Sequence, residues 1–330
     1  MDSTRISASG SPVNVLEYLR SKSAVDYDSL DMRDCTSNQW EAYTQLREPA
    51  NAFLVEESVT LARQLQPQIM EVSVEELAVE IFMIKLALRV APLVYGSLHV
   101  MCNPLYSWAT SKVYETGHRF HRLCQAIEPS FDLSRLVMKV SSTWEGLQAC
   151  RKLKEDGIKT LATTLFTMEQ VILAGEAGCT SVSPFVHELR AHLDMDYHDP
   201  DPILALVPRA QQYYKQHQVD TKVKSCAFMT IDEIISVAGV DAMTIPAEVL
   251  EELSSMTEVQ EKLEARSCFS NVDGDGSVMK LERLSYIDDR VKFDRSFTTN
   301  GRGKAKTEDA IAVFCGFQTQ AEALMAQAGI

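Results

Sequence analysis

Lys139 lies in the run 136-LVMKVSSTWEG-146, a cation set among aliphatic residues and followed by a turn rich in hydroxyls. Burying an ammonium is costly unless it is paired or deprotonated. Desolvation favours the free amine, which is a nucleophile toward ketones and aldehydes. The plainer reading is an edge-strand lysine whose stem snorkels to water. Other polar residues stand at or near the ends of apolar runs: Asp26 or Asp28, Asn38, His99, Thr163 and Ser183. Singly, hydroxyls such as Thr163 and Ser183 read as strand residues bonded to backbone. Several polar groups converging with a buried lysine favour a site.

Those residues must be positioned by the elements that carry them. Strand candidates are Ala24–Tyr27, a short piece at 35–37, and the runs 97–101, 136–140, 160–165, 180–183, 222–228 and 242–245. Between them, apolar residues recur with helical spacing over 54–65, 74–90, 106–127, 144–155, 168–177, 231–238 and 247–255. Thr143 with Gly146 reads as a loop feeding a helix start, and 230-TIDE-233 as a capped N-terminus. Strands alternating with helices imply βαβ units and a parallel sheet. Eight strand candidates predict an α/β fold, a (β/α)₈ barrel, with an extra C-terminal helical segment. In such a barrel chemistry sits at the C-terminal strand ends. Residues 1–12 are expected to form a flexible tail and 13–330 a single domain. The stretch 298-TTNGRGKAKTED-309 reads as a polar linker before a last helix at 309–328.

Composition narrows the function. A net charge of −14 leaves no basic stripe for nucleic acid or an anionic membrane surface. No apolar run has the length of a membrane span, and no leader or sorting signal is visible, so a cytoplasmic location is expected. The eight cysteines are scattered without a CxxC pair, as expected of buried thiols in a reducing compartment. No Gly-rich loop suggests a dinucleotide or P-loop site, and no Ser, His and Asp are paired as in hydrolases. The acids Glu248, Glu251 and Glu252 read as a solvated helix face. The segment 271-NVDGDGSVMKLE-282 has EF-hand loop spacing, with Asn271, Asp273, Asp275, Ser277 and Glu282 at ligand positions. A solvated turn is the preferred reading there, and no metal is assigned.

The segments KVSSTWEG, GIKTLATTLFTMEQVILAGEAG and TSVSPFV, within 136–190, closely resemble the transaldolase family. Weaker similarity runs through 34-DCTSN-38 and CAFMTIDEIISVAGVDAMTI, covering most of residues 14–260. The resemblance implies a (β/α)₈ barrel and a lysine that forms a Schiff base with a ketose. It implies retro-aldol cleavage and transfer of a three-carbon dihydroxyacetone unit, without metal or organic cofactor. By position, Lys139 matches the Schiff-base lysine and Asn38 the asparagine that binds donor hydroxyls. Thr163 matches the threonine that holds the catalytic water. Ser183 and Phe185 match residues that line the donor pocket, and Asp26 or Asp28 the aspartate that handles hydroxyl protons.

Three positions depart from the family pattern. Its acid/base glutamate aligns with His99, an imidazole able to transfer protons near neutral pH, or else a histidine bonded within the core. Its two phosphate-binding arginines align with Glu188 and Met229. Losing both removes ~3–6 kcal/mol, two to four orders of magnitude in affinity, and the carboxylate adds repulsion. Arg190 is the nearest replacement in sequence. The leading expectation is therefore a transaldolase-like Schiff-base enzyme acting beside a ketone carbonyl, its small carbonyl substrate non-standard and unphosphorylated. The alternatives are an ordinary transaldolase of the pentose phosphate pathway and a non-catalytic barrel kept for binding or regulation. The last helix can pack on its own barrel or on a partner in a homodimer.

Overall fold

The structure, a computed structural model, describes residues 10–27, 34–269, 280–299 and 301–329. Eight parallel strands close into a barrel: β2 (Ala24–Tyr27), β3 (Cys35–Thr36), β4 (Leu98–Met101), β5 (Leu136–Ser141), β6 (Lys159–Leu165), β7 (Ser181–Pro184), β8 (Lys222–Ser225) and β9 (Ala242–Ile245). Closure runs through β2 and β9, with Asp26 opposite Thr244. Outside the barrel, β1 (Pro12–Asn14) pairs antiparallel with β10 (Thr257–Val259), so the last residue of the expected tail, Pro12, opens a strand.

The first helices are α1 (Val15–Lys22), α2 (Gln39–Leu46), α3 (Ala52–Leu65) and α4 (Val74–Val90). Next come α5 (Thr110–Ile127), α6 (Trp144–Glu155), α7 (Met168–Glu176), α8 (Arg190–Leu193) and α9 (Leu206–His217). The chain continues with α10 (Ile231–Ser236), α11 (Ala247–Ser255), α12 (Gln260–Arg266), α13 (Arg290–Thr299) and α14 (Gly301–Ala328). Among the described residues no helix is long and apolar enough to cross a membrane. The EF-hand-like positions 271–279, and Asp28, lie outside the described residues.

Period-two alternation along β5 sends Leu136, Met138 and Val140 into the helix layer, leaving Val137, Lys139 and Ser141 on the other face. Burying each large aliphatic of this kind contributes ~1.5–3 kcal/mol. The turn after β5 is held by hydroxyls. Thr143 caps α6 by accepting from the Gly146 N–H at 2.9 Å and donates to the Ser107 carbonyl. Ser107 in turn donates to Ser141 at 2.9 Å. A Cβ at Gly146 would run into the Ser141 carbonyl oxygen, so glycine lets α6 start tight against the strand. In the outer layer, fully buried Arg119 on α5 clamps Glu80 of α4 through two bonds of 2.6 and 2.7 Å.

The expected linker before the last helix is itself helical from Gly301. Lys306 donates to both oxygens of Asp199 at 2.8 and 2.7 Å and to the Asp201 carbonyl at 2.6 Å. Thr307 accepts from Gln170 at 3.1 Å. These distant partners order a segment whose local composition reads as a loop. Farther along, α14 presents Phe314 to Phe185 edge-to-face at 6.5 Å, and Phe317 stacks on Trp40 at 6.3 Å. The helix thereby packs beside the C-terminal mouth of the barrel.

Candidate active site

Lys139 is 7% exposed, and its amine donates to the Thr36 hydroxyl at 2.9 Å and the Ser37 carbonyl at 3.0 Å. Both acceptors lie at the C-terminal end of β3. Lys139 shares a cavity of about 170 Å³ with Asn38, Ser183, Phe185, His192 and Phe314. Asn38 also caps α2, its side-chain oxygen accepting from the Glu41 N–H at 3.0 Å. Ser183 donates to the Lys224 carbonyl at 2.9 Å. Four of the expected site residues, Lys139, Asn38, Ser183 and Phe185, thus line one cavity.

Thr163 sits beside Ser141 in the β5–β6 register, two residues beyond Leu161, the partner of Lys139. Its hydroxyl is fully enclosed without a protein partner among the described residues. The neighbouring Thr164 is left-handed at φ 51°, and the β6–β7 register shifts there. Ala227, on the cavity wall, is left-handed at φ 59°. Non-glycine residues in this region are strained and gather where the chain must re-aim side chains.

Asp26 and His99 are not on that cavity wall. Asp26 accepts from the Lys224 ammonium at 2.7 Å, and Asp34 is bound to the same ammonium. Burial pushes the Asp34 carboxyl up, but Lys224 and the Ser97 N–H together hold it below its ordinary value. His99 bonds the Cys35 carbonyl through Nδ1 at 3.1 Å. It lines a second, polar cavity with Asp34, Lys222 and Lys224 at the N-terminal end of the barrel. Of the two expectations for His99, these surroundings favour a histidine bonded within the core. Burial first, then the cations Lys224 and Lys139, push its pKa down to about 3.

Glu188 and Met229 were expected at the substrate, where the family pattern has arginines. Neither lines the Lys139 cavity. Glu188 turns away to the Tyr197 hydroxyl, and its N–H donates to Asp199 at 3.1 Å. Met229 is 44% exposed, its N–H tied to Glu233 at 2.8 Å in the cap of α10. Arg190 does not replace the lost cations. It pairs with Asp194 at 3.2 Å and lies over the Tyr197 ring at 4.1 Å.

With this geometry in place, comparison with known proteins is direct. The family model described as Transaldolase/Fructose-6-phosphate aldolase matches residues 30–297. The chain belongs to that family. It is 30% identical over 288 residues to the transaldolase of Schizosaccharomyces pombe, covering 86% of each chain. Against a transaldolase of a Shewanella species it is 32% identical over 268 residues, covering 76% of this chain and 82% of the relative. With the Gloeobacter violaceus transaldolase the match is 26% over 329 residues, covering 95% and 81%.

Within this transaldolase-family barrel, three residues escape a reading of sequence alone. Lys224 had a signal, since Lys222 and Lys224 alternate with Val223 and so face one way on β8. His192 had none, because it lies on a four-residue helix after the SPFV strand end. Phe314 reads as an ordinary apolar residue of the last helix. Only the path of α14 brings it to the cavity.

Proposed function

We propose that the protein is a Schiff-base enzyme that makes or breaks a C–C bond next to a ketone carbonyl, with Lys139 as nucleophile and an unphosphorylated substrate. The supporting observation is the Lys139 cavity itself. It has hydroxyl and amide groups near the amine, and Leu189, Ala227, Phe228 and Phe314 elsewhere on its wall. Among the described residues that line it there is no arginine and no second lysine. A phosphate dianion placed there would lose its hydration without charge-assisted bonds in return.

In this reading the Lys139 amine adds to the ketone and water leaves, giving an iminium. Removal of the β-hydroxyl proton lets the adjacent C–C bond break, its electron pair moving to the iminium nitrogen to give an enamine and a free aldehyde. An acceptor aldehyde can take the enamine carbon in reverse. Asn38 and Ser183 would hold the donor hydroxyls, and a water on Thr163 would carry protons. Asp26, as carboxylate beside Lys224, and His99, as a neutral ring, would shape the field beneath the lysine.

Borohydride reduction in the presence of small ketones tests this reading. A secondary amine should form on the Lys139 peptide and vanish in Lys139→Met. If no ketone labels that peptide, the reading is wrong. The name shared by the relatives favours a second reading, dihydroxyacetone transfer between sugar phosphates. Turnover of fructose 6-phosphate at low concentration would support it.

A further inference from the structure

We infer that the aldehyde to which the Lys139 ketone is joined, or from which it is cleaved, is apolar, carrying a hydrocarbon chain rather than a polyol or a phosphate. This deepens, and rests on, the Lys139 reading.

The cavity is polar at its floor and apolar at its mouth, and different elements build the two parts. Thr36, Lys139, Ser183 and Thr244 line it from β3, β5, β7 and β9. Alternate strands of a (β/α)₈ barrel contribute one layer of side chains. Here that layer surrounds the amine with hydroxyls. Trp40, Phe228 and Pro246 line the same cavity from beyond the C-terminal ends of β3, β8 and β9. These three keep accessible surface: Trp40 is 41% exposed, Phe228 is half-buried and Pro246 is exposed. Phe317 stacks on Trp40 at 6.3 Å and holds the indole in place.

Lys224 and Asp34, paired with each other, lie on the N-terminal side of this layer, where they line the second cavity. A ketone captured by Lys139 therefore keeps its hydroxyls at the floor, and the carbon chain joined to it extends toward the mouth. Hydrocarbon that leaves water for such a wall gains up to about fourfold in affinity per methylene. A hydroxyl laid on the same ring carbons gives up its bonds to water without replacement. In the synthetic direction the enamine carbon attacks the aldehyde carbon, and the aldehyde oxygen takes up a proton. Water then adds to the iminium carbon, which frees the lengthened ketone and returns the amine of Lys139 and the proton.

The test uses the full chain with dihydroxyacetone as the ketone, and propanal, butanal, pentanal and glyceraldehyde 3-phosphate as aldehydes. Coupled product is measured by mass spectrometry against aldehyde concentration, giving kcat/KM for each. The three alkanals are alike at the carbonyl, so their order reports the wall. In the wild type kcat/KM should rise about two- to fourfold per methylene from propanal to pentanal. Glyceraldehyde 3-phosphate should be the poorest acceptor. Phe228→Ser and Trp40→Ser should bring the rise per methylene toward about one, whereas Phe228→Leu, which keeps a hydrocarbon wall, should retain it. Because the readout is a ratio within each variant, a general loss of folded protein cancels. A flat wild-type series, a rise unchanged in both serine variants, or a preference for glyceraldehyde 3-phosphate overturns the inference. So does borohydride labelling of Lys139 by dihydroxyacetone without coupling to any aldehyde, a result that leaves the Schiff base standing. Absence of any labelling sinks the Schiff-base reading and this inference with it.

Discussion

Replacing His99 by asparagine should remove a large part of the protein's acid sensitivity. Asparagine can still donate to the Cys35 carbonyl now bonded by Nδ1, so the perturbation is chiefly the loss of a titrating group. In the unfolded chain the imidazole has its ordinary pKa of 6.5, whereas in the fold it is pushed down to about 3. Below 6.5 the unfolded chain therefore takes up a proton that the folded chain refuses. The stability associated with this group is complete above that value and is lost as pH falls toward the folded pKa. Linkage gives ~1.4 kcal/mol per pH unit within the window, or about 2.7 kcal/mol between pH 7.5 and 4.5. That figure depends mainly on the unfolded pKa, because pH 4.5 still lies above the folded one.

Urea denaturation of wild type and His99→Asn at half-unit steps from pH 7.5 to 4.5 measures the difference. His121 and His192, half-buried and also shifted downward by burial, contribute to both curves and cancel in the comparison. The variant is expected to start below the wild type at pH 7.5, having lost a packed ring, and then to fall less steeply. Parallel curves would mean that His99 takes a proton in the fold as readily as out of it. The account of a neutral ring beside Lys224 would then be wrong.

Lys224→Met should cost ~3–5 kcal/mol at pH 7, since Asp26 and Asp34 would be left buried without their shared ammonium, and Asp34→Asn in the same chain should recover part of the loss in urea denaturation. Lys306→Met strands Asp199, whose side chain is fully buried, and should speed amide hydrogen exchange in the first turns of α14 well before the barrel strands. Gly146→Ala should destabilise by ~1–3 kcal/mol in thermal or urea unfolding, because the added methyl meets the Ser141 carbonyl; an unchanged midpoint would show that the turn can yield. Reduction with borohydride and dihydroxyacetone should label Lys139 and leave Lys224 unlabelled in peptide mass maps.

The barrel was legible because its strands carry a local signal. The β5 run alternates aliphatic residues with a lysine, and even two-residue β3 is marked by the DCTSN segment. Thr143 and Thr230 announced helix starts, and both side chains cap as expected. Helix α9 carries the same kind of signal, since Val207, Ala210, Tyr213 and Tyr214 recur at helical spacing, but a proline in its first turn, where a missing N–H is harmless, masks it. The start of α14 was not legible, since GRGKAKTED becomes helical through Asp199 and Gln170, far away in the chain. The site divided along the same line. Residues carried by strands fell where a period of two puts them. Glu188, Met229 and His192 sit on connections whose direction depends on Ala227 and on the caps and loops around it.

Two lysines inside one barrel are candidates for the nucleophile of the proposed reaction, and their partners differ. Lys224 is clasped by Asp26 and Asp34, so drawing its amine out to meet a carbonyl would strip two buried carboxylates of their counter-ion. Such a rupture costs several kcal/mol before any bond forms. The Lys139 amine instead donates to a hydroxyl and a backbone carbonyl, Thr36 and Ser37, and lies on the wall of a cavity open to a ligand. Exchanging a bond to Thr36 or Ser37 for one to a substrate is nearly even in free energy. The clamp lies below, where Lys224 and His99 line the polar cavity at the N-terminal end of the barrel. Beside Lys139, the described lining of the ligand cavity offers hydroxyls, an amide, an imidazole and aromatic rings. On the proposed reading, selection among ketones rests on shape and single hydrogen bonds rather than on capture of a phosphate.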